Sequence, residues 1–247
     1  MTMSGSFSGL GRFVENRRKM MDLSREELGR MVGLAPGTIR AVERDERSLT
    51  GANLRNVLVA LEVQENNVRL LVSAVEGRLR LDDSAPSEQE LCAIEAIEVP
   101  VFVLNTVIGR IVAANRASES LMHLHAGTSI YEWLVVDPRT RALLGQEWKA
   151  ITHGLIYGSA PLIMAVMPGD ERERLLAACS KAPEWETLWY TRPPNADLIL
   201  GTYMTDPRTG ETDEYVFTAA EIRFPPRVGW WQAQLTPRRT LDRLSTE

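Results

Sequence analysis

Residues 24–43 read SREELGRMVGLAPGTIRAVE, and this stretch decides the first half of the fold. Ser24 and Glu27 stand at capping-box spacing, so a helix is predicted to start there. Leu28, Met31 and Val32 give that helix an apolar stripe. Gly33 then allows a turn where a side chain at positive φ would be costly. A second helix starts near Pro36, a residue tolerated in a first helical turn. Ile39 and Val42 form its inward pair. Its outward face carries Gly37, Thr38, Arg40, Ala41 and Arg44. Small residues mixed with arginines on a short exposed helix suit the major groove of duplex DNA.

The flanks extend the pattern. LGRFVENRRKMMD (10–22) reads as an earlier helix carrying Phe13, Arg17 and Met20. NLRNVLVALEV (53–63) reads as a later one, with Leu54, Val57, Leu58 and Leu61 at helical spacing. Four to five helices in the first ~65 residues make a small all-α domain. Ten Lys/Arg against eight Asp/Glu in residues 1–63 give about +2; the remaining 18 against 25 give about −7, which together restore the chain's −5. A mildly basic domain predicts weak binding by a single copy and favours a dimer.

With RRKxxxLSREEL, then VGLAPGTIRAVER, then the closing LRNVLVALEV in place, residues 10–63 resemble the DNA-binding domain of the XRE (phage-repressor and Cro-like) helix-turn-helix family. The resemblance implies roles position by position. Arg18 and Glu43 match a pair that usually bonds internally and holds the first helix to the recognition helix. Arg25 matches a phosphate contact. Ala35, Gly37, Thr38, Arg40, Ala41 and Arg44 match groove-facing positions, and Arg40 is the candidate for reading a guanine through O6 and N7. Arg47 and Asn53 match backbone-contacting positions. Two departures stand out. Gly29 replaces a preferred alanine, at a helix cost of roughly 1 kcal/mol. Asp45-Glu46 places acid near the phosphates.

At 247 residues the chain has room for this domain and a larger one. Hydrophobic content of 44% and charged content of 25% are those of an ordinary globular protein. No apolar run approaches the ~18 residues a membrane span requires. MTMSGSFSGLGR at the start lacks the apolar core of a signal peptide and reads as a mobile arm. Cys92 and Cys179 are single and far apart, which fits reduced thiols in a cytoplasmic protein.

ENNVRLLVSAVEGRLR (65–80) reads as one helix with Val68, Leu71, Val72 and Val75 in a stripe, packing beside the first domain or against a second copy. LDDSAPSE (81–88) has linker chemistry. The expected organisation is therefore a DNA-binding domain at 1–64, a connecting helix and linker at 65–88, and a second domain at 89–247. That second domain opens with a helix in SEQELCAIEAIE, then strands VPVFVLN (99–105) and GRIVAAN (109–115), then a helix, RASESLMHL. Two strands, an Asn and a helix resemble the opening of a PAS domain. Helical segments follow at 130–135, 137–160 and 170–180. Strands are predicted around 197–204 and 214–223, joined by the turn DPRTGETDE, with another in VGWWQAQLTP (228–237). The expected class is α+β with an antiparallel sheet.

The middle section, DPRTRALLxxEW, DERERLL and APEWETLW, is similar to the MmyB-like ligand-binding domain, a PAS-like domain coupled to XRE-type domains in bacterial regulators. This resemblance spans roughly 96–235 and implies a small, fatty-acid-like apolar ligand for some members. The family commonly has a His after the segment ending at Trp189; YTRPP stands there, with Arg192 the nearest cation, and a later His-Pro pair is missing. All six tryptophans lie in this half. Adjacent Trp230 and Trp231 in a strand point to opposite faces, so one of them is expected to be exposed or to meet a partner. Phe102, Leu104, Leu121, Trp133, Trp148 and Leu155 are the candidate lining of an apolar pocket. His123-x-His125 lacks the further ligands of a metal site. No GxSxG, P-loop, HExxH or CxxC is present, and no cofactor or catalytic residue is assigned.

The reading that results is a homodimeric, sequence-specific transcriptional regulator on a pseudo-palindromic operator, with a second domain sensing a small apolar effector. Two other readings stand beside it. In one, the second domain is a protein-docking or dimerisation module without ligand. In the other, the chain is an antitoxin-like protein that keeps the helix-turn-helix for autoregulation.

Overall fold

Among the described residues, five helices build the N-terminal half: α1 (Leu10–Met20), α2 (Arg25–Val32), α3 (Pro36–Glu43), α4 (Gly51–Ala60) and α5 (Glu65–Val75). The computed structural model describes residues 9–80, 84–194, 201–222, 225 and 227–244. Local signals set the helix ends. The Ser24 hydroxyl accepts from the Glu27 amide at 3.1 Å while the Glu27 carboxylate accepts from the Ser24 amide at 2.7 Å. Gly33 closes α2 at φ 71°. Phe13, Val14, Leu28, Ile39, Leu54, Val57, Leu58 and Leu61 are buried together. Burying such side chains contributes roughly 1.5–3 kcal/mol each. α5 ends at Val75, short of the predicted Arg80; it lies against α4, with Val68, Leu71 and Val72 buried and Val75 half-buried.

The predicted mobile arm overlaps α1, since Leu10–Arg12 are helical; residues 1–8 lie outside the described ones, as do 81–83 of the predicted linker. A second capping box, Ser87 with Glu90, starts α6 (Glu88–Glu95). Then come β1 (Val101–Asn105), β2 (Arg110–Ala114), α7 (Arg116–Met122), α8 (Ile130–Val135), α9 (Pro138–Leu144), a 3-10 turn at Gly145–Glu147, and α10 (Trp148–Ala165). α11 (Gly169–Cys179), α12 (Trp185–Tyr190), β3 (Gly201–Thr205), β4 (Thr212–Glu221), β5 (Trp230–Pro237) and α13 (Arg238–Leu244) follow among the described residues.

The single helical stretch predicted at 137–160 differs in two ways. It breaks at Gly145, whose φ of 52° no continuing helix can accommodate. It also runs on past residue 160, through Pro161 to Ala165, although an interior proline ordinarily breaks a helix. α12 and α13 had not been expected. Part of the predicted 197–204 strand lies outside the described residues.

The sheet is antiparallel throughout, in the order β2-β1-β5-β4-β3. With the helices around it, this is the expected α+β class. Alternation along β1 divides its neighbours: Val101 and Val103 join Ile94 of α6 and Trp230, while Phe102 joins the main core of helices on the other face. Trp230 is buried and Trp231 on the opposite face is partly covered. Both sheet edges are occupied, which removes a route to edge-to-edge aggregation. Ile111 of β2 exchanges backbone bonds with Gly127 and Thr128 at 2.8 Å. On β3, the Glu147 carboxylate accepts from the Tyr203 amide at 2.9 Å and the Thr202 hydroxyl at 2.5 Å.

Candidate nucleic-acid interface

One buried carboxylate organises the first three helices. Glu43, at the end of α3, has a side chain only 1% exposed. It accepts from Arg18 Nε of α1 at 2.6 Å and from Arg25 Nε of α2 at 2.6 Å. Arg18 also donates to the Leu23 carbonyl at 2.6 Å. Arg18 is 7% exposed, so the Arg18–Glu43 pair is a buried one, whereas Arg25 is 38% exposed. The nearby carboxylate raises the Arg25 guanidinium above its ordinary value. In this arrangement Arg25 pairs with Glu43 and keeps part of its head in solvent.

This clamp leaves one face of α3 open. Ala35, Gly37, Arg40, Arg44 and Arg47 are exposed, and Thr38, Ala41 and Asn53 are partly exposed. Ile39, Val42 and Glu43 are the buried side of the same helix. An eight-residue helix is ~12 Å long, a length that fits a major groove ~12 Å wide. The Arg40 side chain has no hydrogen-bonded or ion-paired partner among the described residues, so its guanidinium is free for a base edge. Arg44 lies 3.6 Å from Glu46, and Arg47 donates to the Thr38 hydroxyl at 3.4 Å. Asn53 lies in the first turn of α4, its amide held by the Thr50 hydroxyl at 3.3 Å. A Cβ on Gly37 would meet nothing within 4 Å, so this glycine marks a bare spot on the open face.

The two departures from the family pattern acquire structural reasons. A Cβ on Gly29 would stand 2.4 Å from the Leu34 carbonyl oxygen, because the turn after α2 folds back so closely that the Leu34 amide bonds the Gly29 carbonyl at 2.8 Å. Asp45 is turned to protein: its carboxylate accepts from the Gly11 amide at 2.9 Å, at the N-terminus of α1, where the helix dipole favours negative charge. Gly11 is required there, since a Cβ would stand 2.2 Å from the Val42 carbonyl.

Residues 14–66 match the helix-turn-helix family HTH_3. The match covers α2 and α3 and every residue of the open face named above, and it supports a DNA-binding transcription regulator. Comparison with curated proteins finds no match to this chain.

In the second half, the candidate pocket residues occupy mixed surroundings. Phe102, Leu121, Trp133 and Trp148 are buried in one continuous core and Leu104 packs partly buried against it. Both indoles have backbone partners: Trp133 Nε1 donates to the Met122 carbonyl at 2.9 Å and Trp148 Nε1 to the Leu134 carbonyl at 2.7 Å. Arg141 stacks on Trp148 at 3.7 Å and pairs twice with Glu184, at 2.8 and 2.7 Å. That pair holds the Glu184 carboxyl down at about 2. Leu155, by contrast, is 46% exposed on α10. A surface groove of about 540 Å³ includes Leu121 alone of the six, beside Glu98, Arg116, Asp206, Tyr215 and Arg239.

His153 is buried and its Nε2 lies 2.9 Å from the Thr191 carbonyl. Cys92 is exposed; Cys179 is buried, its thiol pushed up to about 12. Among the described residues no helix is long and apolar enough to cross a membrane, and no cluster of His, Cys, Asp and Glu could hold a metal ion.

Sequence reading missed Arg17 and Asn67 as polar anchors. Arg17 is 2% exposed and reaches the second half of the chain. Its signal was faint: an arginine among the Phe13 and Val14 positions of the inward face of α1.

Proposed function

We propose that this protein is a sequence-specific DNA-binding regulator that reads a pseudo-palindromic operator as a homodimer, with α3 in the major groove. The observation that carries this is the free Arg40 on the open face of α3, behind which the Arg18–Glu43–Arg25 cluster fixes the helix. Ala35, Gly37, Thr38, Ala41 and Arg44 share that face, with Arg47 and Asn53 beside it and Arg25 at the start of α2 for phosphate contact. A domain of charge about +2 gains little from a single copy, and two recognition helices ~34–36 Å apart add their contacts.

For the second half, the seating of Trp133 and Trp148 supports a solid dimerisation or docking body. Side chains whose polar atoms are already satisfied by neighbouring backbone are built as core. One observation favours the effector reading implied by the MmyB-like resemblance. Trp231 Nε1 is buried without a hydrogen-bond partner among the described residues. It neighbours Leu104 across β1 and would suit the polar end of an otherwise apolar molecule. Native mass spectrometry of the purified protein separates these readings. Two chains with no added mass support the docking body. Two chains with a retained small molecule support the sensor. A single chain at micromolar concentration refutes the dimer.

A further inference from the structure

α10 contains a proline in its interior, at Pro161, and remains helical past it. A proline has no N–H, so the carbonyl four residues earlier, that of Tyr157, loses its helical donor. A buried carbonyl left in that state costs about 1–3 kcal/mol. Here the missing donor comes from the helix-turn-helix module. Arg17 of α1 donates Nη2 to the Tyr157 carbonyl at 2.5 Å. The next carbonyl, Gly158, accepts from Asn67 Nδ2 of α5 at 2.8 Å. Two neighbouring carbonyls at the proline notch thus receive two donors from two different helices of the N-terminal half.

The Arg17 guanidinium is built into this place. It lies 3.4 Å from the centre of the Tyr157 ring and 5.2 Å from that of Phe13. Its other Nη reaches the Leu61 carbonyl at 3.5 Å. Burial pushes it below its ordinary value, and no carboxylate stands within ion-pair distance among the described residues. Aromatic faces and carbonyl dipoles take the place of a counter-ion. At the other end of the contact, Gly9 brings the start of α1 against the Met164 carbonyl, so close that a Cβ would stand 2.3 Å from that oxygen. Immediately after Arg17 comes Arg18, which holds Glu43 of α3.

We propose that the Pro161 notch of α10 is a docking socket for the helix-turn-helix module, filled by Arg17, and that this joint sets the orientation of the recognition helix relative to the sheet. Arg17 is a positioning residue. The proposal concerns the joint itself and is testable without DNA, so its failure and the failure of the operator-binding reading are distinguishable.

The test is a distance distribution between two spin labels in the full-length protein. One label sits on the native exposed Cys92 of α6, the other on α2 after Met31→Cys, an exposed position; Cys179 is buried and does not label. The parent is expected to give one narrow distance. Pro161→Ala gives the Tyr157 carbonyl its helical partner back, so that it no longer depends on Arg17, without removing a polar group. It is expected to broaden the distribution and to speed hydrogen exchange in α1. Arg17→Met is expected to do the same. Arg69→Met, which removes the exposed Arg69–Glu221 pair between the two halves together with a local bond to Asn66, is expected to keep the narrow distance. A distribution as narrow as the parent's in folded Pro161→Ala overturns the proposal. So does equal broadening by Arg69→Met, since the orientation would then rest on the surface pair.

Discussion

Replacing Glu43 by Gln removes the charge from the carboxylate that joins α1, α2 and α3. The replacement amide offers one acceptor oxygen where two had served Arg18 and Arg25, and it turns an NH2 group toward donors. Arg18 is the costly partner. At 7% exposure it keeps only the Leu23 carbonyl, and its charge remains buried without an anion. Breaking one partner of a buried pair costs about 3–5 kcal/mol. Arg25, already 38% exposed, turns to water and adds little. The expected loss is therefore about 3–4 kcal/mol, toward the low end of the range because an amide still accepts one bond. For a chain of this size each kcal/mol moves the melting temperature by roughly 2–4 °C, so calorimetry should find a drop of about 6–16 °C. The double replacement Arg18→Met with Glu43→Leu removes both buried charges and should recover most of it. A drop below about 2 °C for Glu43→Gln would refute the claim that this pair organises the module.

Other expected outcomes follow from single contacts. Gly29→Ala should lower the melting temperature despite the ~1 kcal/mol that alanine gains in a helix, because the added Cβ overlaps a backbone oxygen; a rise would show that the turn at Gly33 yields freely. The Glu184 carboxyl, held at about 2 against an ordinary 4.5, contributes stability that is present above the unfolded value and lost as pH falls from 4.5 through about 2. Glu184→Gln should flatten that acid limb in urea titrations, and an unchanged limb would remove Arg141 as its cause. Arg40→Ala should weaken specific binding by ~1–3 kcal/mol and relax the preference at one base position, which competition binding with single-base operator variants measures. Unchanged preference would mean that Arg40 reads no base.

What was legible in the sequence is what is local. Ser24 with Glu27, Gly33 and Pro36 act within a few residues, and the helix ends they predicted are the ones observed. β1 and β2 are short alternating runs whose period shows in the letters. The parts that were not legible depend on distant partners. A proline at 161 normally ends a helix; it does not here because a donor arrives from Arg17, 140 residues away in sequence. Gly29 looked like a loss of helix propensity, whereas the residue it answers to is the carbonyl of Leu34 across a turn. α12 is six residues long with no side-chain cap, too short for a period to declare itself. The open face of α3 was readable because exposure follows from which residues the core claims. Whether the second half is solid or holds a pocket was not, since an aromatic residue that fills a core and one that lines a pocket are the same letter.

The central claim is that the exposed face of α3 selects a DNA sequence. The most direct measurement is selection of duplexes from a random library by the full-length protein at physiological salt, followed by sequencing. The account predicts enrichment of two inverted half-sites whose centres lie about 10–10.5 base pairs, or a multiple of this, apart. It also predicts that one conserved position in each half-site is lost when the selection is repeated with Arg40→Ala. Recovery of duplexes without any shared sequence, or the same half-site in full from the Arg40→Ala protein, would contradict it.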